Sequence, residues 1–386
     1  MNRNYKLKDF AQDVSIAVKD AQSSPYDRFV GLEHYDSGEP VITRYTDTSL
    51  LSSSVKEFHA NDILIARRNV YLRRAGIAFF DGLTSGDSIV LRIYDDCEQR
   101  TGIPKEDAIK IIPFILNSNL FWAYANKHAD GMNSKRISKE MLYDYEFTLP
   151  SLAEQRVLAD KLWAAYHLKE SYRKLLASTQ EMVKSQFIEM FGRTENTKPL
   201  SDFIEVSFPG EWGQEDKDGN GVKVIRTTNF TNTGKLNLAD VVTRDIDPNK
   251  VEKKKLKKGD IILERSGGTN DNPVGRVVYF NEDGLYLFNN FTQLLRCKEE
   301  VNSLFIFYSL FNYYQMNKRI IRSMGNKTTG IQNLKMDQYW QIPIADVSVE
   351  RQNEFEAIYN QADKSEFELR KSIESIDAVI KSLINS

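Results

Sequence analysis

Asp260 and Glu264, in the run Gly-Asp-Ile-Ile-Leu-Glu-Arg-Ser, are the acidic pair that most resembles a metal-dependent nuclease core, which needs clustered carboxylates around a divalent ion. The pair does not complete that chemistry. No lysine follows at the expected place, and the matching stretch earlier in the chain has Ala66 where a second acid should stand. Gly325-Asn326-Lys327-Thr328-Thr329 lacks the strand and spacing of a loop that cradles phosphates. Asn272-Pro273-Val274 is the nearest approach to the Asn/Asp-Pro-Pro-aromatic turn of an amino-methyltransferase, and it fails. Cys97 and Cys297 lie far apart, and His34, His59, His128 and His167 share no ligand spacing, so a metal site is not expected. These absences point to a chain without an active site.

What remains is recognition chemistry. Basic residues gather at Arg67, Arg68, Arg73 and Arg74, at Lys253, Lys254, Lys255, Lys257 and Lys258, and at Lys318, Arg319, Arg322 and Lys327. The formal charge is −2, yet phosphate contacts are local, so the balance of the whole chain decides little. The five-lysine run reads equally well as a solvated face. Arginine and asparagine make bidentate contacts with guanine and adenine edges. Candidate DNA contacts are Arg67, Arg68, Arg73, Arg74, Lys135 and Arg136 in the first half, and Arg265, Asn270, Asn272, Arg276 and Lys327 in the second.

The elements that must carry these residues occur twice. Leu7-Lys8-Asp9-Phe10 recurs as Leu200-Ser201-Asp202-Phe203, and Asn61-Asp62-Ile63-Leu64 as Gly259-Asp260-Ile261-Ile262. Leu91-Arg92 echoes Leu295-Arg296, and Lys174 to Phe187 answers Lys371 to Ile384 without a gap. The matches keep their order, so the chain is two copies of one unit. Each copy opens with short β-like runs such as Ile63-Leu64-Ile65-Ala66, passes through an apolar helical stretch and a glycine-bearing polar loop, and ends in one long helix. The expected fold class is α+β. Two similar domains, mixed sheet plus helices, occupy 1–150 and 193–347, with long helices over 151–192 and 348–386.

Ser151-Leu152-Ala153-Glu154 is a capping box, and Ser348 with Glu350 takes its place in the second copy. Apolar residues then recur at alternating steps of four and three, the signature of a coiled-coil seam. Helix-pairing residues are Leu158, Leu162, Leu176 and Val183 in the first helix, and Phe355, Tyr359, Leu369, Ile373, Ile376 and Ile380 in the second. The simplest partner for each helix is the other. Two seam positions are charged, Lys169 and Glu366, and they are equivalent in the repeat. In an antiparallel pair related by a pseudo-twofold axis mid-helix equivalents meet, so these two are expected to pair or, equally, to reach outward independently.

The 386 residues are 41% hydrophobic and 27% charged, a globular balance. No apolar run approaches the roughly 18–20 residues of a membrane span, and the opening Met1 to Lys6 has no signal-peptide stretch. A soluble cytoplasmic protein is expected.

Leu256 to Gly267, Leu149-Pro150-Ser151-Leu152-Ala153-Glu154-Gln155, and the Gly325 to Ile331 loop leading to Ile342-Pro343-Ile344 together resemble the specificity subunits of type I restriction–modification systems. The resemblance covers essentially the whole chain. It implies that each domain reads one half of a bipartite double-stranded DNA site and that the helices act as an antiparallel spacer. It also implies two modification subunits that bind S-adenosylmethionine and methylate adenine, and restriction subunits that use ATP and Mg. A departure is Arg351 in the second copy where the first has Glu154. The competing reading is a coiled-coil adaptor that binds proteins only.

Overall fold

The computed structural model describes residues 3–21, 24–51, 55–132, 134–269, 271–328 and 331–385. The chain divides into two compact units, Met1–Leu175 with Glu368–Ser386, and Leu176–Phe367.

In unit 1 the strand Ile63–Ala66 is apolar throughout because both its faces are covered. Ile63 and Ile65 enter one core cluster, and Leu64 and Ala66 enter another. Successive side chains of a strand point to opposite faces, so a continuous apolar run is required there. This strand lies between Ser88–Ile93 and Ala75–Ile77, and Ala11–Asp13 completes a four-stranded antiparallel sheet. A second sheet of five strands contains one parallel pair, Arg28–Val30 beside Gly82–Ser85. Arg3–Lys6 pairs with Glu146–Leu149, which ties the start of the unit to the segment entering the long helix.

Unit 2 repeats the four-stranded sheet strand for strand, whereas its second sheet has four strands in place of five. Ile204–Val206, Thr292–Cys297, Ile261–Glu264 and Val277–Tyr279 form a four-stranded antiparallel sheet in the same order. Val222–Ile225 lies parallel to Tyr286–Phe288, and Thr197–Pro199 pairs with Pro343–Ala345. The sequence repeat is therefore a repeat of topology. One addition is specific to unit 2: Ser266–Gly267 joins the hairpin Gly325–Thr328 and Ile331–Leu334.

The two long helices are Leu152–Phe191 and Val349–Asn385. The expected capping box forms, with the Ser151 N–H donating to Glu154 at 3.0 Å and the Glu154 N–H to Ser151 Oγ at 3.4 Å. In unit 1 Ala159, Leu162 and Tyr166 share a core with Ile380, and the partly buried Leu158, Ile376 and Leu383 pack against it. In unit 2 Val183, Phe187 and Phe191 share a core with Phe355 and Ala362, and Tyr359 packs against it. There Gln180 meets Glu366 and Phe187 meets Phe355, so the segments run antiparallel. Leu176, Leu369 and Ile373 are half-buried. These cores also hold domain side chains such as Ile112 and Phe305, so each helix is buried by its globular domain as well as by the other helix.

The charged seam positions take partners inside their own units. Lys169 donates to Glu39 at 2.7 Å and to Asp377 at 2.6 Å, and Glu366 accepts from Lys235 at 3.0 Å. Glu39 and Lys235 belong to turns of the globular domains that reach the helices at those levels.

Candidate nucleic-acid interface

After Ile63–Ala66 the chain of unit 1 turns through Arg67 and Arg68, and the segment Asp130 to Arg136 returns beside it in a bridge between Arg68 and Arg136. This brings three arginines around one carboxylate. Arg67, Arg68 and Arg136 each lie 3.7 Å from Asp87, with side-chain exposures of 39, 45 and 45%. Arg68 also donates to Ser134 Oγ at 2.8 Å. One acid cannot neutralise three guanidiniums, so the group is a fixed excess of positive charge open to solvent. Each guanidinium carries five donors in a rigid fork, matched to phosphate oxygens or to a guanine edge. The Lys135 carbonyl accepts from the Asn69 N–H at 2.7 Å, which seats its loop beside the cluster.

The other two arginines of the first motif act differently. Arg74 is turned inward and donates to the carbonyls of Leu32 at 3.0 Å and Arg68 at 2.8 Å. Burial pulls its pKa down, as expected for a desolvated cation. Arg73 adopts φ 51° and donates to Asn119 at 3.0 Å. Asn69 adopts φ 55°, so the short turn Val70–Leu72 is bounded by two left-handed residues that are not glycine. Such conformations are strained in L-residues and gather at functional sites. The turn displays Tyr71, 61% exposed. Asp87, Ser134 and Tyr71 escaped sequence reasoning, since none stands in a basic motif.

Unit 2 has the same frame with other side chains. The N–H of Arg67 binds the Asp87 carbonyl, and that of Arg265 binds the Phe291 carbonyl. Arg68 bridges to Arg136, and Ser266 pairs with Asn333 and donates to its side-chain oxygen at 2.7 Å. Arg265 donates to Gln293 at 3.4 Å. Arg276, half-buried, holds the buried Glu264 through bonds of 2.7 and 3.1 Å. The Asn272 N–H closes a turn onto Thr269 Oγ1 at 3.0 Å. Asn270 lies outside the described residues. Lys327 stands in the strand Gly325–Thr328, opposite Gln332.

Asp260 is held by Arg296 at 2.7 and 2.6 Å, and Glu264 by Arg276, so the acids of the nuclease-like run are each engaged by an arginine. Among the described residues no group of three or more His, Cys, Asp or Glu is placed to hold a metal ion.

Residues 194–375 match the family model for the type I restriction modification DNA specificity domain. No curated protein matches the chain. Among solved structures, one determined to explain complex assembly and conformational transition of the type I R-M system is 15% identical, with a TM-score of 0.53. The match covers 99% of this chain and 96% of that one. The S subunit of a type I restriction-modification system from M. genitalium is 13% identical, with a TM-score of 0.54. That match covers 100% of this chain and 95% of that one. The family match falls on the second half, and the first half repeats its topology. The second half thus carries a type I restriction modification DNA specificity domain, and the whole chain has the fold of the matched structures.

Three lysines of the five-lysine run, Lys254, Lys255 and Lys258, have acidic partners. Lys250 and Lys254 both reach Glu211 at 3.2 Å, Lys255 reaches Glu252 at 2.6 Å, and Lys258 reaches Asp283 at 2.7 Å. The solvated-face reading fits that run. Lys318, at the start of the helix Lys318–Ser323, stands 6.0 Å from the Tyr314 ring. No helix among the described residues is long and apolar enough to cross a membrane.

Proposed function

We propose that this chain is a type I restriction–modification specificity subunit that reads a bipartite double-stranded DNA target, one half-site per unit, in the cytoplasm. It brings to that target two modification subunits, which methylate adenine with S-adenosylmethionine, and restriction subunits, which use ATP and Mg. The observation that supports this reading is one strand frame presenting two sets of side chains. Where unit 1 offers Arg67, Arg68 and Arg136, unit 2 offers Arg265, Ser266 and Asn333. A frame kept constant with variable edges is what two different half-sites require. Guanidiniums suit phosphates and guanine, while an asparagine amide suits adenine. Contacts in this reading come from Arg67, Arg68, Lys135 and Arg136, and from Arg265, Asn270, Asn272 and Lys327.

The test is methylation mapping of DNA from cells that express the chain with its modification subunits. The expected result is one motif of two short blocks with a fixed gap. Replacing residues 1–150 by another recognition domain should change one block and leave the other. An assembled complex that shows no salt-dependent DNA binding would favour the protein-only adaptor.

A further inference from the structure

Two turns of this chain occupy like places in their units and carry opposite charge. In unit 1 Gly38 adopts φ 75° and precedes Glu39, and in unit 2 Gly234 adopts φ 75° and precedes Lys235. Each turn follows the strand of the parallel pair in its own unit. Both reach the middle of a long helix. Glu39 accepts from Lys169 at 2.7 Å and from Arg173 at 2.7 Å. Lys235 donates to Glu366 at 3.0 Å and also to Asp363. Lys169 and Glu366, equivalent in the repeat, are only 3 and 7% exposed.

The flanking seam positions are apolar: Leu162 and Tyr166 before Lys169, Phe355 and Ala362 before Glu366. An apolar residue at either charged position would pack as well and cost no desolvation. A buried charge instead demands one partner in one geometry, which makes it a device for orientation more than for stability. The same joint is built twice with its polarity inverted. Glu39 set against Glu366 and Asp363 would bring three carboxylates together, so each turn fits only the helix of its own unit.

We propose that Glu39–Lys169 and Lys235–Glu366 are indexing clasps that fix each recognition domain on its helix and so hold the gap of the DNA target to one length. Glu39 and Lys235 are positioning residues and touch no base. The inference rests on the bipartite reading above.

The experiment uses the full chain co-expressed with its modification subunits, and maps methylation on a plasmid library whose gap varies by single base pairs. The wild-type complex should accept one gap. Glu39→Gln and Lys235→Gln should keep both half-site sequences but methylate targets one base pair longer or shorter to within about tenfold of the cognate gap. Lys235→Glu should lose gap discrimination or fail to fold. Lys235→Glu with Asp363→Lys and Glu366→Lys restores opposite charges and should restore the single gap. A motif whose gap stays strict in both glutamine variants overturns this inference alone, as does a folded triple variant that remains permissive. A wild-type complex that methylates an ungapped motif overturns the bipartite reading and this inference with it.

Discussion

Arg92 grips Asp62 through two hydrogen bonds of 2.7 Å, and the pair ties the strand Ser88–Ile93 to the turn that opens Ile63–Ala66. Asp62 also accepts the His59 N–H at 2.7 Å and is 1% exposed. Unit 2 repeats the device: Arg296 grips Asp260, which accepts the Lys257 N–H at 2.7 Å. The residue before each aspartate is left-handed, Asn61 at φ 73° and Gly259 at φ 92°. The carboxylate closes the turn and the arginine anchors it to the neighbouring strand.

Removing one partner leaves a buried charge unpaired, which typically costs about 3–5 kcal/mol. Arg92→Met should lower the unfolding transition of unit 1 by an amount in that range, and Arg296→Met that of unit 2. Denaturant unfolding followed by circular dichroism measures both. A loss below about 0.5 kcal/mol, the usual scale of an exposed pair, would show that the aspartate stays satisfied without its arginine.

The arginines around Asp87 should behave as phosphate or base contacts. Arg68→Ala and Arg136→Ala, tested in the assembled complex, should weaken DNA binding. Each lost phosphate contact should flatten the dependence of log affinity on log salt by about 0.9. Arg276→Met should do the reverse: it strands Glu264, lowers stability and leaves the salt slope alone. A salt slope that falls for Arg276→Met but not for Arg68→Ala would place the DNA surface elsewhere.

The sequence showed which residues repeat but not where they point. Asp62 with Arg92 and Asp260 with Arg296 stood in the matched segments, and the strand frame followed from apolar runs bounded by turns. Direction was hidden. Arg67 and Arg74 share one basic motif, yet the first faces solvent beside Asp87 and the second faces two carbonyls. The Ala66 N–H binds the Arg74 carbonyl as the Glu264 N–H binds that of Arg276, yet only Arg276 meets a carboxylate there. Lys169 and Glu366 were visible as charged seam positions, but Glu39 is 130 residues from Lys169 and Lys235 is 131 from Glu366. Periodicity reports that a position is buried and is silent about what covers it.

Both cysteines should be inert in the folded chain. Burial pushes the Cys297 thiol up to about 12, and desolvation raises that of Cys97, which also lies 3.7 Å from Thr101. The thiolate is the reactive form, and at pH 7–8 it is scarce at either position. Alkylation at neutral pH should therefore be slow and should accelerate on adding denaturant. Rapid labelling of the native chain would contradict the packing of the Thr292–Cys297 strand.

The long helices should act as the ruler between half-sites, and angle should outweigh length in setting the gap. Gln155, Leu162 and Lys169 on the first helix, and Gln352, Tyr359 and Glu366 on the second, stand at seam positions seven residues apart. Four residues inserted after Tyr172, with four more after Ile373, are a stutter that such a seam accommodates by local unwinding. The insertion advances each helix by about 6 Å and turns its downstream residues by about 40°. DNA rises about 3.4 Å and turns about 34–36° per base pair. Rise alone would add two base pairs, whereas rotation matches one. A recognition loop must enter the groove at the right azimuth, and an error of about 35° moves it toward the backbone. The gap should therefore grow by one base pair while both half-site sequences stay fixed. Methylation mapping separates the outcomes: a gap longer by two would make translation the controlling term, and an unchanged gap would remove the helices from the role of ruler.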